Sequence, residues 1–241
     1  MSGRDFDPGA VRSAIVREAL SMLAHGLLLP FGRIAASTPP LRDRELRTIV
    51  FVHGLGANRS GFVPLRLYLR ALGYDRQHAF NYRSAGSIEK VARELKQDLD
   101  RQVQGGRIDL VTHSMGGLVA RAYVQHLGGE RRVDRLITLG TPHQGTHAAN
   151  FVPAALVRQL LPDSNFLRRL NAARFPDGVR TTSIVAGRDL LVQPVESAHC
   201  PFGESVVFDD LGHVELLFRP QVYAAVAAEL AKPPAREPSS E

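Results

Sequence analysis

Six short apolar runs recur along the chain, and four of them lead into a segment of helical periodicity. The runs are LRTIVFV (46–52), RQHAFNY (76–82), RIDLVTH (107–113), VDRLITLG (133–140), VRTTSIVAG (179–187) and ESVVFDD (204–210). The helical segments are 62–73, 87–103, 115–129 and 214–231. Runs of this length, rich in β-branched residues and punctuated by glycine, read as strands. Strands separated by helices are joined by crossovers, so the sheet they form is mainly parallel and covered on both faces. Ser87 suits the N-cap of the second helix and Glu89 its first turn.

This alternation narrows what the composition allows. The chain has 241 residues, 44% of them hydrophobic and 22% charged, which suits one globular α/β domain. A single cysteine, Cys200, excludes an intramolecular disulfide and fits a reducing compartment. The formal net charge is +6, carried almost entirely by arginine, with Lys90, Lys96 and Lys232 the only lysines. Basic residues cluster no further than pairs such as Arg131-Arg132 and Arg168-Arg169, and no aromatic residues interleave them. The reading is a solvated surface and no nucleic-acid partner.

The N-terminal segment, 1–45, is read as a helical extension. Its stretch ALSMLAHGLLLPFG (19–32) falls short of the ~18–20 apolar residues of a membrane span. It resembles the apolar part of an export signal, with AAS (35–37) as a cleavage-like site, but Asp5, Asp7 and Glu18 make a poor basic leader. Val11, Ile15, Leu20, Leu23 and Leu27 share part of one helical face. The segment is therefore expected to pack on the domain or lie at a membrane surface, with a cytoplasmic location and export as the alternative. The main domain spans 46–231. An insertion at 141–178, helical in AALVRQLLPDSNFLRRLNAARF and broken at Pro162, is expected to cover a functional face as a cap or lid. The polar, Pro-rich tail 232–241 is expected to be disordered.

Ligands of open α/β sheets bind beyond the carboxyl ends of the strands. The first strand leads into His53-Gly54-Leu55-Gly56, the third into His113-Ser114-Met115-Gly116, and the fourth into Gly140-Thr141-Pro142-His143. The fifth leads into Gly187-Arg188-Asp189 and the last into Asp210-Leu211-Gly212-His213. Ser114 thus stands at a strand–helix joint, where it is either an activated nucleophile or a helix N-cap. A sharp elbow needs small neighbours two positions away: Gly116 meets this, and Thr112 is bulkier but modest. A serine hydroxyl needs a base beside it, and the base an acid behind it. Asp134 precedes its strand; Asp163 and Asp177 lie in the insertion; Asp209 and Asp210 end the last strand. Asp189 is left as the acid. His213 is preferred over His199 as the base because it lies at the carboxyl edge. The N–H groups of Leu55 and Met115 are placed to hold an oxyanion. His53, Gly54, His113, Thr141, Pro142 and His143 are candidates to line the substrate pocket. His53 is also read as orienting its loop. His143 and His147, with Asp163, form no recognised metal motif, and no phosphate-binding loop is present, so neither a metal nor a cofactor is expected.

Several segments carry a resemblance: VFVHGLGANRSGF (50–62), FNYRSAGSIE (80–89), VTHSMGGLVAR (111–121), LITLGTPHQGT (136–146), VAGRDLLV (185–192) and LGHVELLF (211–218). Over about residues 47–231 the chain resembles the α/β-hydrolases, and within them the small bacterial esterases and lipases. Thr112 departs from the glycine usual at its position, and the 141–178 insertion exceeds that of lidless members. The resemblance implies a sheet of about six strands flanked by helices, with a lid-like insertion and an added N-terminal helix. It implies a Ser114–Asp189–His213 triad, an oxyanion hole at Leu55 and Met115, no cofactor, and an acyl glycerol or similar lipid-like ester as substrate. A thioesterase or acyltransferase using the same triad, or a non-catalytic scaffold binding lipid or a partner, remains the alternative.

Overall fold

The computed structural model describes residues 8–33, 47–83, 86–152 and 154–234. The chain enters through helix α1 (Pro8–Leu28) and reaches strand β1 (Thr48–Val52). There follow α2 (Val63–Ala71), β2 (Gln77–Phe80), α3 (Ile88–Gln102), β3 (Ile108–His113), α4 (Met115–His126) and β4 (Val133–Leu139). Two short helices, α5 (Ala155–Arg158) and α6 (Asn165–Ala172), precede β5 (Arg180–Ala186), β6 (Glu204–Phe208) and α7 (Pro220–Ala231).

The six strands form one sheet in the order β2-β1-β3-β4-β5-β6, and every neighbouring pair is parallel. β1, β3 and β4 are buried along their whole length, which explains their unbroken apolar sequence. One face packs on α3, α4 and α6 through residues such as Leu95, Leu118 and Leu167. The other packs on α2 and α7 through Leu65, Leu69, Val222 and Val226. Ser87 caps α3 as expected, its hydroxyl accepting from the Lys90 N–H at 3.2 Å. Val52, Thr112, Thr138 and Ser183 stand in one row across four strands. That register brings the loops that follow β1, β3 and β4 to one edge.

The opposite edge is ionic. Asp109 pairs with Arg47 at 3.1 Å and with Arg135 at 3.0 Å. Asp134 pairs with Arg47 at 2.9 Å and with Arg107. Asp134 therefore belongs to the edge away from Ser114, as its place before β4 implied.

Three details differ from the sequence reading, and a fourth, the facing of α1, is one that it left open. The closing helical segment breaks into a 3-10 turn, Val214–Leu217, and α7. Pro220 lacks an N–H and fixes its own φ, so it begins a helix more readily than it continues one. The insertion divides around Pro162, but α6 is not a cover. Its Phe166, Leu167 and Leu170 are buried in the main core, and fully buried Arg121 bonds Asn171 Oδ1 at 2.9 Å. Only the part near 146–160 lies over the edge that carries Ser114. In α1, Ile15, Leu20, Leu23 and Leu27 face outward and are 54–66% exposed, while Glu18 and Ser21 face the domain and are buried. Finally, the window Ile15–Gly32 is long and apolar enough to cross a membrane by length and composition, contrary to the sequence reading. The cleavage-like site 35–37, the boundary near 45 and the tail 235–241 lie outside the described residues.

Candidate active site

Ser114 sits between the last residue of β3 and the first of α4, with φ 55° and ψ −131°. It is the one described non-glycine residue with a positive φ. A conformation of this kind costs on the order of 1–3 kcal/mol and persists only where its surroundings impose it. Three contacts do so. The Ser114 N–H donates to the Leu139 carbonyl at 2.8 Å, and the Thr141 hydroxyl donates to the Ser114 carbonyl at 2.8 Å. The end of β1 presses on α4 so closely that a Cβ at Gly116 would lie 2.3 Å from the Val52 carbonyl oxygen. Thr112 is accommodated in the sheet, its hydroxyl donating to the Ile137 carbonyl at 3.3 Å. The Ser114 side chain makes no capping bond, so the helix-cap role weighed from the sequence is not the one it plays.

Asp189 and His213 come together. Asp189 Oδ2 lies 2.6 Å from His213 Nδ1, and Asp189 Oδ1 accepts the N–H groups of Leu191 and Val192, each at 2.8 Å. Both residues are buried. Burial alone would push the His213 pKa down, but the Asp189 carboxylate outweighs it and holds the imidazole above its ordinary value. With Nδ1 engaged, Nε2 is the nitrogen left for proton exchange. Gly140, at φ 57°, gives the imidazole its room: a Cβ there would stand 3.0 Å from Nδ1. His199, the other candidate base, bonds Ser205 instead, at 2.8 Å.

Ser114 and His213 line one cavity of about 240 Å³. Its apolar wall comes from Leu55, Val157 and Leu160, among others, and α1 contributes His25. Of the pocket candidates, Gly54, His113 and Pro142 line this cavity. His53, Thr141 and His143 stand behind it. His53 is buried and stacked on Tyr82 with centroids 4.1 Å apart; its Nδ1–H donates to the Gly54 carbonyl at 2.9 Å. Burial pushes its pKa down to about 4, so it orients the loop as a neutral ring. His143 lies 3.0 Å from the Thr138 hydroxyl and beside Arg121, where burial holds its pKa well below the ordinary value. His113 donates from Nε2 to the His213 carbonyl at 3.2 Å, which holds the His213 backbone from a second side.

Leu55 lines the same cavity as Ser114, and Met115 follows Ser114 directly in the chain. Met115 is the first residue of α4, where an N–H has no intrahelical acceptor. Gly54 lies so near Ser114 that a Cβ on it would come within 2.8 Å of the serine Cβ.

The sequence reading missed residues that reach the site from α1. Glu18 accepts the Val214 N–H at 2.8 Å and the Glu215 N–H at 3.1 Å, and Arg17 donates to the Asp210 carbonyl at 2.7 Å. The available signal was Glu18, the one acid within the α1 sequence, next to Arg17.

A parallel sheet of this order, carrying a serine on a strained strand–helix elbow, defines the α/β-hydrolase fold, and solved structures agree. The chain is similar to the lipase BlEst2 of Bacillus licheniformis in its mature form, with TM-score 0.61, 16% identity, and 80% of this chain and 95% of that one covered. It is also similar to lipase B of Aspergillus fumigatus, with TM-score 0.65, 15% identity, and coverage of 85% and 58%. Residues 31–157 match the family described as a domain of unknown function, DUF7379, and the chain belongs to that family. Among curated proteins it is 31% identical over 142 residues to a lipase of Staphylococcus epidermidis. That match takes in 46% of this chain and 20% of the lipase, so the chain spans about a fifth of that relative's length.

Proposed function

We propose that the protein is a serine hydrolase of carboxylic esters, acting on acyl glycerols or similar lipid-like esters through an acyl-enzyme. Ser114 attacks the ester carbonyl as His213 Nε2 takes its proton. Asp189 holds the imidazole in the right tautomer and stabilises the imidazolium. The Leu55 and Met115 N–H groups hold the oxyanion. His213 returns the proton to the leaving alcohol, and water, activated in the same way, releases the acid. The observation that carries this reading is the buried 2.6 Å contact of Asp189 with His213 in the cavity wall that also bears Ser114. The predominantly apolar lining of the cavity suits an acyl chain.

The test is a p-nitrophenyl ester series, short to long acyl, on the wild type and on Ser114→Ala. Turnover by the wild type and a loss of several thousandfold in the variant support the proposal. Equal rates refute it.

The same reading includes peripheral contact with a membrane, on the cytoplasmic side. Ile15, Leu20, Leu23 and Leu27 offer one apolar face on α1, whose other face is tied to the domain, and Phe151 and Leu190 are exposed near the cavity. A buried lone Cys200 is in keeping with a reducing compartment. Flotation with phospholipid vesicles should carry the wild type and leave behind a Leu20→Ser, Leu23→Ser, Leu27→Ser variant. Equal flotation would remove this part of the reading.

A further inference from the structure

The catalytic histidine is held by a loop, 210–215, that makes no strand and only the first turn of a 3-10 helix. What fixes this loop is distant in sequence. The Glu18 carboxylate accepts from Val214 N–H with one oxygen and from Glu215 N–H with the other, so both of its oxygens are used. The fit is close: a Cβ at Gly212 would stand 2.5 Å from Glu18 Oε2. Arg17, one residue earlier, donates to the Asp210 carbonyl and pairs with Glu215 Oε1 at 3.2 Å. Glu215 in turn accepts the Gly212 N–H at 3.0 Å and pairs with Arg219. His213 thus has an N-helix contact on both sides of it in the chain. In the same helix, His25 reaches the cavity wall.

We infer that Glu18 is a positioning residue of the active site, and that α1 is a working part of the catalytic domain. Its carboxylate holds the Gly212–Glu215 backbone so that His213 meets both Asp189 and Ser114. This inference rests on the serine-hydrolase reading above. It also gives α1 two faces with separate tasks: the polar one sets the base, and the apolar one is left outward. An export signal removed on maturation would take both Arg17 and Glu18 with it, so the inference requires that α1 stay attached.

The charged and titratable groups facing His213 are Asp189, His113 and Glu18, with Glu215 beyond them, paired to Arg17 and Arg219. The negative charge of Glu18 adds to that of Asp189 in raising the imidazole pKa. Removing that charge should therefore lower the His213 titration midpoint.

The experiment compares the full chain with Glu18→Gln, which keeps the shape and one acceptor oxygen, and with Ala19→Gln, on the exposed side of the same helix. Turnover is read on a soluble p-nitrophenyl ester, and the His213 midpoint by NMR of its ring protons. We expect Glu18→Gln to lower kcat by roughly 10- to 100-fold, as small misplacements of a catalytic group do, with KM within about twofold. The His213 midpoint should move to lower pH, and Ala19→Gln should change neither quantity. An unchanged kcat, a loss shared by Ala19→Gln, or an unmoved midpoint overturns the inference. The midpoint does not depend on turnover. If Ser114→Ala matches the wild type, the hydrolase reading fails while the Glu18 linkage is still judged on the midpoint.

Discussion

Asp189 and His213 are 24 positions apart in the chain, yet a 2.6 Å contact joins them beyond the ends of β5 and β6, buried from water. Asp189 spends its second oxygen on two backbone N–H groups, so it cannot turn away from the imidazole. The Asp189→Asn variant should keep the fold and lose kcat by on the order of 10⁴, because an amide allows the wrong tautomer. Steady-state kinetics beside a circular dichroism spectrum would show it. A loss below tenfold would mean that Asp189 is not the acid.

The same pairing sets a pH dependence. His213 must be neutral to accept the serine proton, and its folded pKa is raised above the ordinary 6.5. The acidic limb of kcat/KM should therefore have its midpoint above 6.5, with activity rising toward higher pH. Stability runs the other way: the contribution from this histidine is fully present below the unfolded value and is lost as pH rises through the folded one. A limb centred below 6.5 would contradict the buried Asp189 contact.

The elbow predicts a trade between activity and stability. Ser114 holds a positive φ that glycine adopts freely. Ser114→Gly should be inactive and more stable than Ser114→Ala by about 1 kcal/mol, since only glycine relieves the backbone. Urea denaturation of the two variants measures the difference, and equal midpoints would argue against strain at this position.

The distal ion network gives a prediction about the scaffold alone. Arg135 and Asp109 are 3% and 1% exposed and lie 3.0 Å apart. Asp109→Ala leaves a buried guanidinium short of a partner and should cost about 3–5 kcal/mol. Its effect should appear in the unfolding free energy and leave KM of the folded fraction unchanged. A cost under about 1 kcal/mol would show that Arg47 and Arg135 find other partners.

The cavity wall predicts chain-length selectivity. Val157 lines the cavity from the insertion and is 4% exposed. Val157→Phe takes up space there, so it should reduce kcat/KM for octanoyl esters more than for acetyl esters. A parallel decline on both would place the acyl chain elsewhere.

Much of the architecture was legible in the chain because its determinants are local. Strand periodicity, Ser87 as a cap and glycines where strands end all follow from neighbouring residues, and a parallel sheet then sends Ser114, Asp189 and His213 to one edge. The order of those three residues needed no coordinates. The sequence could not tell which way α1 faces, because a helix with apolar residues on one side can turn that side to the domain or to a membrane surface. Tertiary structure decided it: desolvating Glu18 and Arg17 is offset by the backbone and side-chain partners that the His213 loop supplies, almost 200 residues away. Nor could the sequence separate the part of the insertion that covers the cavity from α6, which fills the core. That division depends on what each short helix finds beneath it, and Arg121 with its partner Asn171 exists only once α4 and α6 have met.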